Sequence, residues 1–260
     1  MIIDNRFVLT TEVRHGGMAT VHKAMDMQSG RLCAVKRMKP MPDDALMKES
    51  FFREYQALQR LSHPNIVEMI ACGLDAEARP YIALNWVDEN LEEWIGRQGA
   101  LSWSMFWPQI GRPLLDAIKT AQASKWIHRD IKPKNVLVAD GIPQLTDYGI
   151  ARDHARVVNS LTLRQFGSEP FSPPDRDDGS EHGFGRDVFS WAILAGYCLT
   201  GQEPGDYGSI PRWLDSCLGA PVEILNRAAS LSREERPAYA AFLLDGSGTW
   251  NAEHQADKPG

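Results

Sequence analysis

Asp130, Lys132 and Asn135 sit close together in Ile127-His-Arg-Asp-Ile-Lys-Pro-Lys-Asn-Val-Leu-Val138, and Asp147 follows in Thr146-Asp-Tyr-Gly149. Apolar residues bound this polar string and predict a loop whose backbone is pinned at both ends. The residue types suit phosphoryl transfer. Moving a γ-phosphoryl asks a protein for a carboxylate beside the attacking hydroxyl, a cation near the phosphoryl group and hard oxygens for a divalent metal. Asp130, Lys132, and Asn135 with Asp147 can supply these in turn.

The string resembles the protein-kinase catalytic loop H-R-D-x-x-x-x-N, and Asp147-Tyr-Gly resembles the metal-binding D-F-G motif. Lys132, placed just after Asp130, resembles the serine/threonine rather than the tyrosine kinases. The resemblance implies a bilobed α+β fold with ATP between the lobes. A small N-terminal lobe would hold a five-stranded antiparallel sheet and one helix, and a larger C-terminal lobe would be mainly helical. The expected division is 1–87 for the N-lobe, 88–244 for the hinge and C-lobe, and 245–260 for a polar tail. By the same resemblance Asp130 orients the acceptor hydroxyl, Lys132 neutralises charge on the phosphoryl group, and Asn135 and Asp147 hold Mg²⁺.

Short apolar runs at Phe7 to Leu9, Val21 to Met25 and Leu32 to Met38, broken by glycine signals, predict three antiparallel strands. Between the first two, Val13-Arg-His-Gly-Gly-Met-Ala-Thr-Val21 resembles the kinase glycine-rich loop, where bare backbone must approach phosphate closely. Val13, Gly16, Gly17 and Val21 are its implied nucleotide contacts. Arg14 stands where the family has its first glycine and Ala19 where it has its third. Arg14 either stiffens the loop or lends its charge to nucleotide phosphates. Cys33-Ala34-Val35-Lys36 resembles the V-A-I-K strand, which assigns Lys36 to the α and β phosphates and Ala34 to the roof over the adenine.

Residues 43–61 predict a helix with Asp43 and Asp44 at its positive end. Phe51, Tyr55 and Leu58 share one apolar face, and Glu54 lies beside it. A carboxylate turned inward needs a cation, and Lys36 is the candidate. That pair resembles the lysine and helix-glutamate pair of an active kinase. Pro64 ends the helix. Strands near Ile66 to Gly73 and Tyr81 to Val87 complete the sheet, and rising polarity at residues 85–90 marks the hinge. The resemblance makes Leu84 the residue beside the adenine pocket, gives the backbone of Asn85 and Val87 the adenine edge, and adds Leu137 to the pocket. Most of the family has glutamate where Asn85 stands.

Helices are predicted over Leu91 to Arg97 and Met105 to Ser124, with Trp103, Phe106 and Trp107 as core packing rather than a base-stacking surface. Beyond Asp147 a long unpatterned segment runs to Gly167-Ser-Glu-Pro-Phe-Ser-Pro-Pro-Asp175, which resembles the kinase G-T-x-x-Y-x-A-P-E and favours a protein substrate. Ser160 and Thr162 are candidate autophosphorylation sites, with Arg129 the cation that a phosphate would engage. Residues 185–199 predict a buried helix, Asp187 capping its start and, by resemblance, tying down the catalytic-loop backbone. Glu235-Arg236-Pro237 resembles the family's late structural arginine, which implies that Arg236 pairs with Asp175.

The 260-residue chain carries a net charge of −6, and no run of Lys and Arg suggests a nucleic-acid footprint. Cys33, Cys72, Cys198 and Cys217 lack metal spacing and read as buried thiols of a reducing cytosol. The N-terminus predicts no signal peptide, and no apolar run is long enough for a membrane segment. The expectation is a cytoplasmic, ATP- and Mg-dependent serine/threonine protein kinase of bacterial type acting on Ser/Thr hydroxyls of proteins. Its oligomeric state is open. The alternative is a pseudokinase, a scaffold that binds nucleotide without efficient turnover.

Overall fold

A computed structural model of the chain describes residues 1–16, 19–40, 45–150, 152–153, 169–175 and 181–244. Its N-terminal part is an antiparallel sheet of β1 (Ile2–Ile3), β2 (Phe7–His15), β3 (Ala19–Asp26), β4 (Arg31–Met38), β5 (Met69–Leu74) and β6 (Pro80–Asn85), in the order β1-β2-β3-β4-β6-β5. Successive strand residues face opposite sides of a sheet. Cys33 and Val35 therefore enter a small cluster with Ile3, Phe7, Ala24, Tyr81 and Ala83, while Ala34 packs toward the main core on the other side. Lys36 shares the side of Ala34.

The sheet has six strands among the described residues, not five. β1 is two residues long, too short to show a period. It is turned back by Asp4 and Asn5, both left-handed with φ of 52° and 50°, and Tyr81 Oη donates to Asp4 Oδ2 at 2.6 Å. β2 and β3 also extend further toward the glycine-rich stretch than the short apolar runs predict. β2 runs to His15, so Arg14 is a strand residue opposite Val21. Gly17 lies outside the described residues.

α1 (Ala45–Arg60) follows β4, and Asp43 and Asp44 lie outside the described residues. Phe51 and Leu58 are buried on the face that carries Glu54. After Pro64 the chain is tied across to the C-terminal part, with Val67 N donating to Leu145 O and Leu145 N to Asn65 O, each at 2.9 Å. Cys72 is exposed, because β5 is the sheet edge, and the other three cysteines are buried.

β7 (Glu89–Asn90) leads into α2 (Leu91–Gln98), which starts with a capping box between Asn90 and Glu93. The expected single helix from Met105 to Ser124 is instead α3 (Trp103–Phe106), a π turn at Trp107–Gly111, and α4 (Arg112–Ala123). Pro108 explains the break, since it lacks an N–H and its ring crowds the preceding turn. Gly111 O accepts from Trp191 Nε1 at 2.9 Å. Trp103, Phe106 and Trp107 are buried against Trp191 in the main core.

β8 (Trp126–Ile127) precedes the polar string 128–135, and the hairpin of β9 (Val136–Ala139) and β10 (Ile142–Leu145) follows it. β11 (Arg152–Asp153) pairs with β8. α5 (Gly185–Thr200) is buried from Gly185 to Cys198, as its apolar circumference requires. Gly196 has no room for a side chain, a Cβ there falling 2.4 Å from the Trp213 ring. α6 (Ile210–Asp215) and α7 (Val222–Ala228) follow, and the described chain runs on to Leu244. No helix among the described residues is long and apolar enough to cross a membrane.

Candidate active site

The string between β8 and β9 is held from below by one carboxylate. Asp187 Oδ2 accepts from His128 N at 2.7 Å and Oδ1 from Arg129 N at 2.8 Å. The predicted helix cap is not made: Phe184 precedes α5, and the carboxylate of Asp187 is committed to the loop backbone. With its amide fixed there, Arg129 adopts a left-handed φ of 72°. Such a conformation costs a non-glycine residue about 1–2 kcal/mol, which the surrounding bonds must offset. His128 Nδ1 accepts from Asp130 N at 3.3 Å, so Nε2 carries the proton and donates to Thr146 O at 3.0 Å. One imidazole thus joins the loop of Asp130 to the motif of Asp147.

Asp130 Oδ2 accepts from Lys132 Nζ at 2.8 Å and from Asn135 Nδ2 at 2.8 Å. Asn135 Nδ2 also donates to Asp130 O at 2.8 Å. The amide nitrogen is fully committed, which leaves Asn135 Oδ1 as an acceptor. Across the cleft, Lys36 Nζ stands 2.6 Å from Glu54 Oε2 and 3.0 Å from Asp147 Oδ1. Burial works against the Lys36 ammonium, but the charges of Asp147 and Glu54 outweigh it and hold its pKa above the ordinary value. Chiefly because Lys36 is beside it, the Asp147 carboxyl is held below its ordinary value. Burial pushes the Glu54 carboxyl up, opposed by Lys36. Asp147 is itself left-handed, with φ of 64°.

Lys36, Glu54, Asn135 and Asp147 border a cleft of about 210 Å³ between the sheet and the β9 hairpin, while Asp130 and Lys132 lie outside its lining. Val21, Ala34, Lys36, Glu54, Leu84, Asn85, Val87, Asn135, Leu137 and Asp147 all line it. Val13 and Gly16 lie outside the lining, because Val13 faces away from the side of β2 that carries Arg14. Arg14, Trp86, Lys134 and Thr146 line the cleft as well. Trp86 carried no motif signal; only its place beside the hinge pointed to it. The donor set suits a small hard cation. Mg²⁺ takes one or two carboxylate or carbonyl oxygens from protein and the rest from phosphate and water, and Asn135 Oδ1 with the half-buried Asp147 carboxylate offers that.

Behind the cleft, Ser50 Oγ of α1 donates to Gly149 O, joining the helix of Glu54 to the Asp147 motif. Tyr148 is buried with its ring 4.4 Å from that of His128, and its hydroxyl has no hydrogen-bond partner among the described residues. Burial raises the phenol's pKa, so it stays neutral. An unsatisfied buried hydroxyl costs about 1–3 kcal/mol of desolvation. Tyr148→Phe is therefore expected to raise the melting temperature, and a fall in a thermal melt would refute this account.

Ser160, Thr162, Gly167 and Ser168 lie outside the described residues. Farther on, Phe171 packs edge-on against Tyr197, with centroids 6.4 Å apart, and Tyr207 Oη donates to Ser172 O at 2.8 Å. Asp175 Oδ1 accepts from Arg236 at 2.6 Å, while Arg186 donates to Asp175 O and stands 3.3 Å from Oδ2. Asp, shorter than the family's glutamate, still reaches its arginine.

Comparison with known proteins agrees with this geometry. The protein kinase domain family matches residues 7–211. The chain is 32% identical to serine/threonine-protein kinase PknK of Mycobacterium tuberculosis over 261 aligned residues, covering 99% of this chain and 23% of the relative. It is 34% identical over 209 residues to a probable serine/threonine-protein kinase PknB of Lactococcus lactis, covering 79% of this chain and 33% of that protein. A probable serine/threonine-protein kinase PknB of Bifidobacterium longum is 32% identical over 212 residues, with coverage of 76% and 31%. The chain thus spans between about a quarter and a third of the length of these relatives. With the bilobed arrangement, the paired Lys36 and Glu54, and the loop of Asp130 in one cleft, the chain belongs to the protein kinase family.

Proposed function

We propose that this chain transfers the γ-phosphoryl of ATP to serine and threonine hydroxyls of proteins, with Asp130 beside the acceptor. The observation that carries this reading is that two bonded sets, Asp130 with Lys132 and Asn135, and Lys36 with Glu54 and Asp147, are brought together by His128 and by the bond from Thr146 N to Asn135 O. Small and apolar side chains at Val21, Ala34, Leu84 and Leu137 leave a slot for a flat base. The backbone of Asn85 and Val87 reads its edge. Lys36, aligned by Glu54, holds the α and β phosphates.

Asp130 is fixed by two donors on one oxygen, so its carboxylate orients the acceptor hydroxyl and takes its proton late in the transfer. Lys132 shares that oxygen and places its ammonium where charge accumulates on the moving phosphoryl. Asn135 and Asp147 would hold Mg²⁺, which supplies neutralisation of the phosphate oxygens. Phe171, packed on Tyr197, lies in the stretch that resembles the family's peptide-docking element and supports a protein acceptor. Autophosphorylation at Ser160 or Thr162, answered by Arg129, completes the proposal; a Ser160→Ala/Thr162→Ala variant with unchanged activity would count against that last part.

The test is intact-mass spectrometry of the purified chain after incubation with Mg-ATP, beside Asp147→Asn. Gains of one or more phosphates in the wild type, absent in the variant and mapping to residues 150–170, are expected. Equal gains in both would remove Asp147 from the chemistry.

A further inference from the structure

We propose that Arg14 and Trp86 form a clasp across the mouth of the nucleotide cleft and set the rate at which nucleotide enters and leaves. The proposal rests on reading that cleft as the ATP site. Arg14, on β2, donates to Asp88 O at 3.1 Å and lies 5.4 Å from the centre of the Trp86 ring. Lys23, on β3, sits 4.6 Å from the same ring. Trp86 Nε1 donates to Asp88 Oδ1 at 2.7 Å, and Lys23 Nζ reaches Asp88 Oδ1 and Glu12 Oε2, each at 3.3 Å. An indole engaged by two cations and one carboxylate is fixed, and both Arg14 and Trp86 border the cleft.

The clasp joins two strands of the upper sheet to the segment that leads from β6 into the C-terminal part. A glycine in place of Arg14, as in most of the family, would reach neither Asp88 nor Trp86. The clasp also answers the question raised by Arg14 in the sequence: its guanidinium is engaged by the hinge, not held out for phosphate. Each of these contacts is between protein groups. Contacts present equally in the empty and filled cleft slow entry and exit together and leave the equilibrium nearly unchanged. Exposed contacts of this kind each change an equilibrium by roughly two- to fivefold.

The experiment is stopped-flow binding of fluorescent mant-ADP and mant-ATP, with Mg²⁺, to the whole chain, its Arg14→Gly and Trp86→Leu variants and the double variant. Thermal melts confirm that each is folded, and Arg14→Gly, which places the family's own residue, guards against a Trp86 variant that does not fold. Association and dissociation rates should both rise about three- to tenfold in either single variant. Kd should move less than about twofold, and the double variant should add little, since either change opens the same clasp. A rise in dissociation alone, larger for mant-ATP than for mant-ADP, would mean that Arg14 holds phosphate and would overturn the clasp. Unchanged rates would overturn it too. Failure of the wild type to bind either probe would instead overturn the reading of the cleft, and the clasp with it.

Discussion

Asp130→Asn is expected to lower kcat by roughly 10²- to 10⁴-fold while ATP affinity stays within about twofold. The substitution keeps size and shape, so an acceptor oxygen can still take the hydrogen bonds now made by Lys132 and Asn135. Two things are lost. The amide cannot take the proton of the acceptor hydroxyl, and Lys132 no longer faces an anion across 2.8 Å. Both losses weigh on the transition state more than on bound ATP, because Asp130 does not line the nucleotide cleft. Steady-state kinetics on a protein acceptor, with ATP varied, read the two effects separately. A variant that turns over at the wild-type rate would remove Asp130 from the reaction, and one that loses ATP binding would make its role structural.

Asp175→Ala is the largest expected loss of stability. Arg186 and Arg236 are both buried, and Asp175 is the carboxylate bonded to each of them. Removing one partner of a buried ionic group costs about 3–5 kcal/mol, because the remaining charge has neither water nor counter-ion. Here two cations would be left by one substitution. Among the described residues, Arg236 keeps its bond to Ser230 O at 3.0 Å and its packing over Phe189. Chemical denaturation should show the loss, and Asp175→Ala/Arg236→Leu should recover part of it by removing one stranded charge. A loss below about 1 kcal/mol would show that these arginines find other partners and that Asp175 does not anchor the segment after Phe171.

The candidate site was legible where chemistry and spacing coincide in one short stretch. His128 to Asn135 and Thr146 to Gly149 carry their meaning locally. The pairing of Lys36 with Glu54 needed only a helical period and the cost of an inward carboxylate. Other features depend on what meets in three dimensions. β1 is two residues held by pairing alone. The π turn follows from Pro108, yet nothing local says that Trp191 will donate to the carbonyl of Gly111. Asp187 at a helix start reads as a cap because capping is a local habit, and only the fold shows its oxygens spent on a distant loop. Trp86 is an unremarked hinge residue until Arg14 and Lys23 arrive from two other strands.

Asp187 has a wider consequence. Both of its oxygens hold amides of the loop that carries Asp130, and it projects from the first turn of a helix buried along nearly its whole length. The loop therefore cannot loosen without either leaving a buried carboxylate bare or moving that helix out of the core. Reactivity and integrity of the lower lobe are in this way one thermodynamic variable: catalytic competence is lost in the same cooperative step in which the lobe opens, with no separate, softer melting of the loop before it.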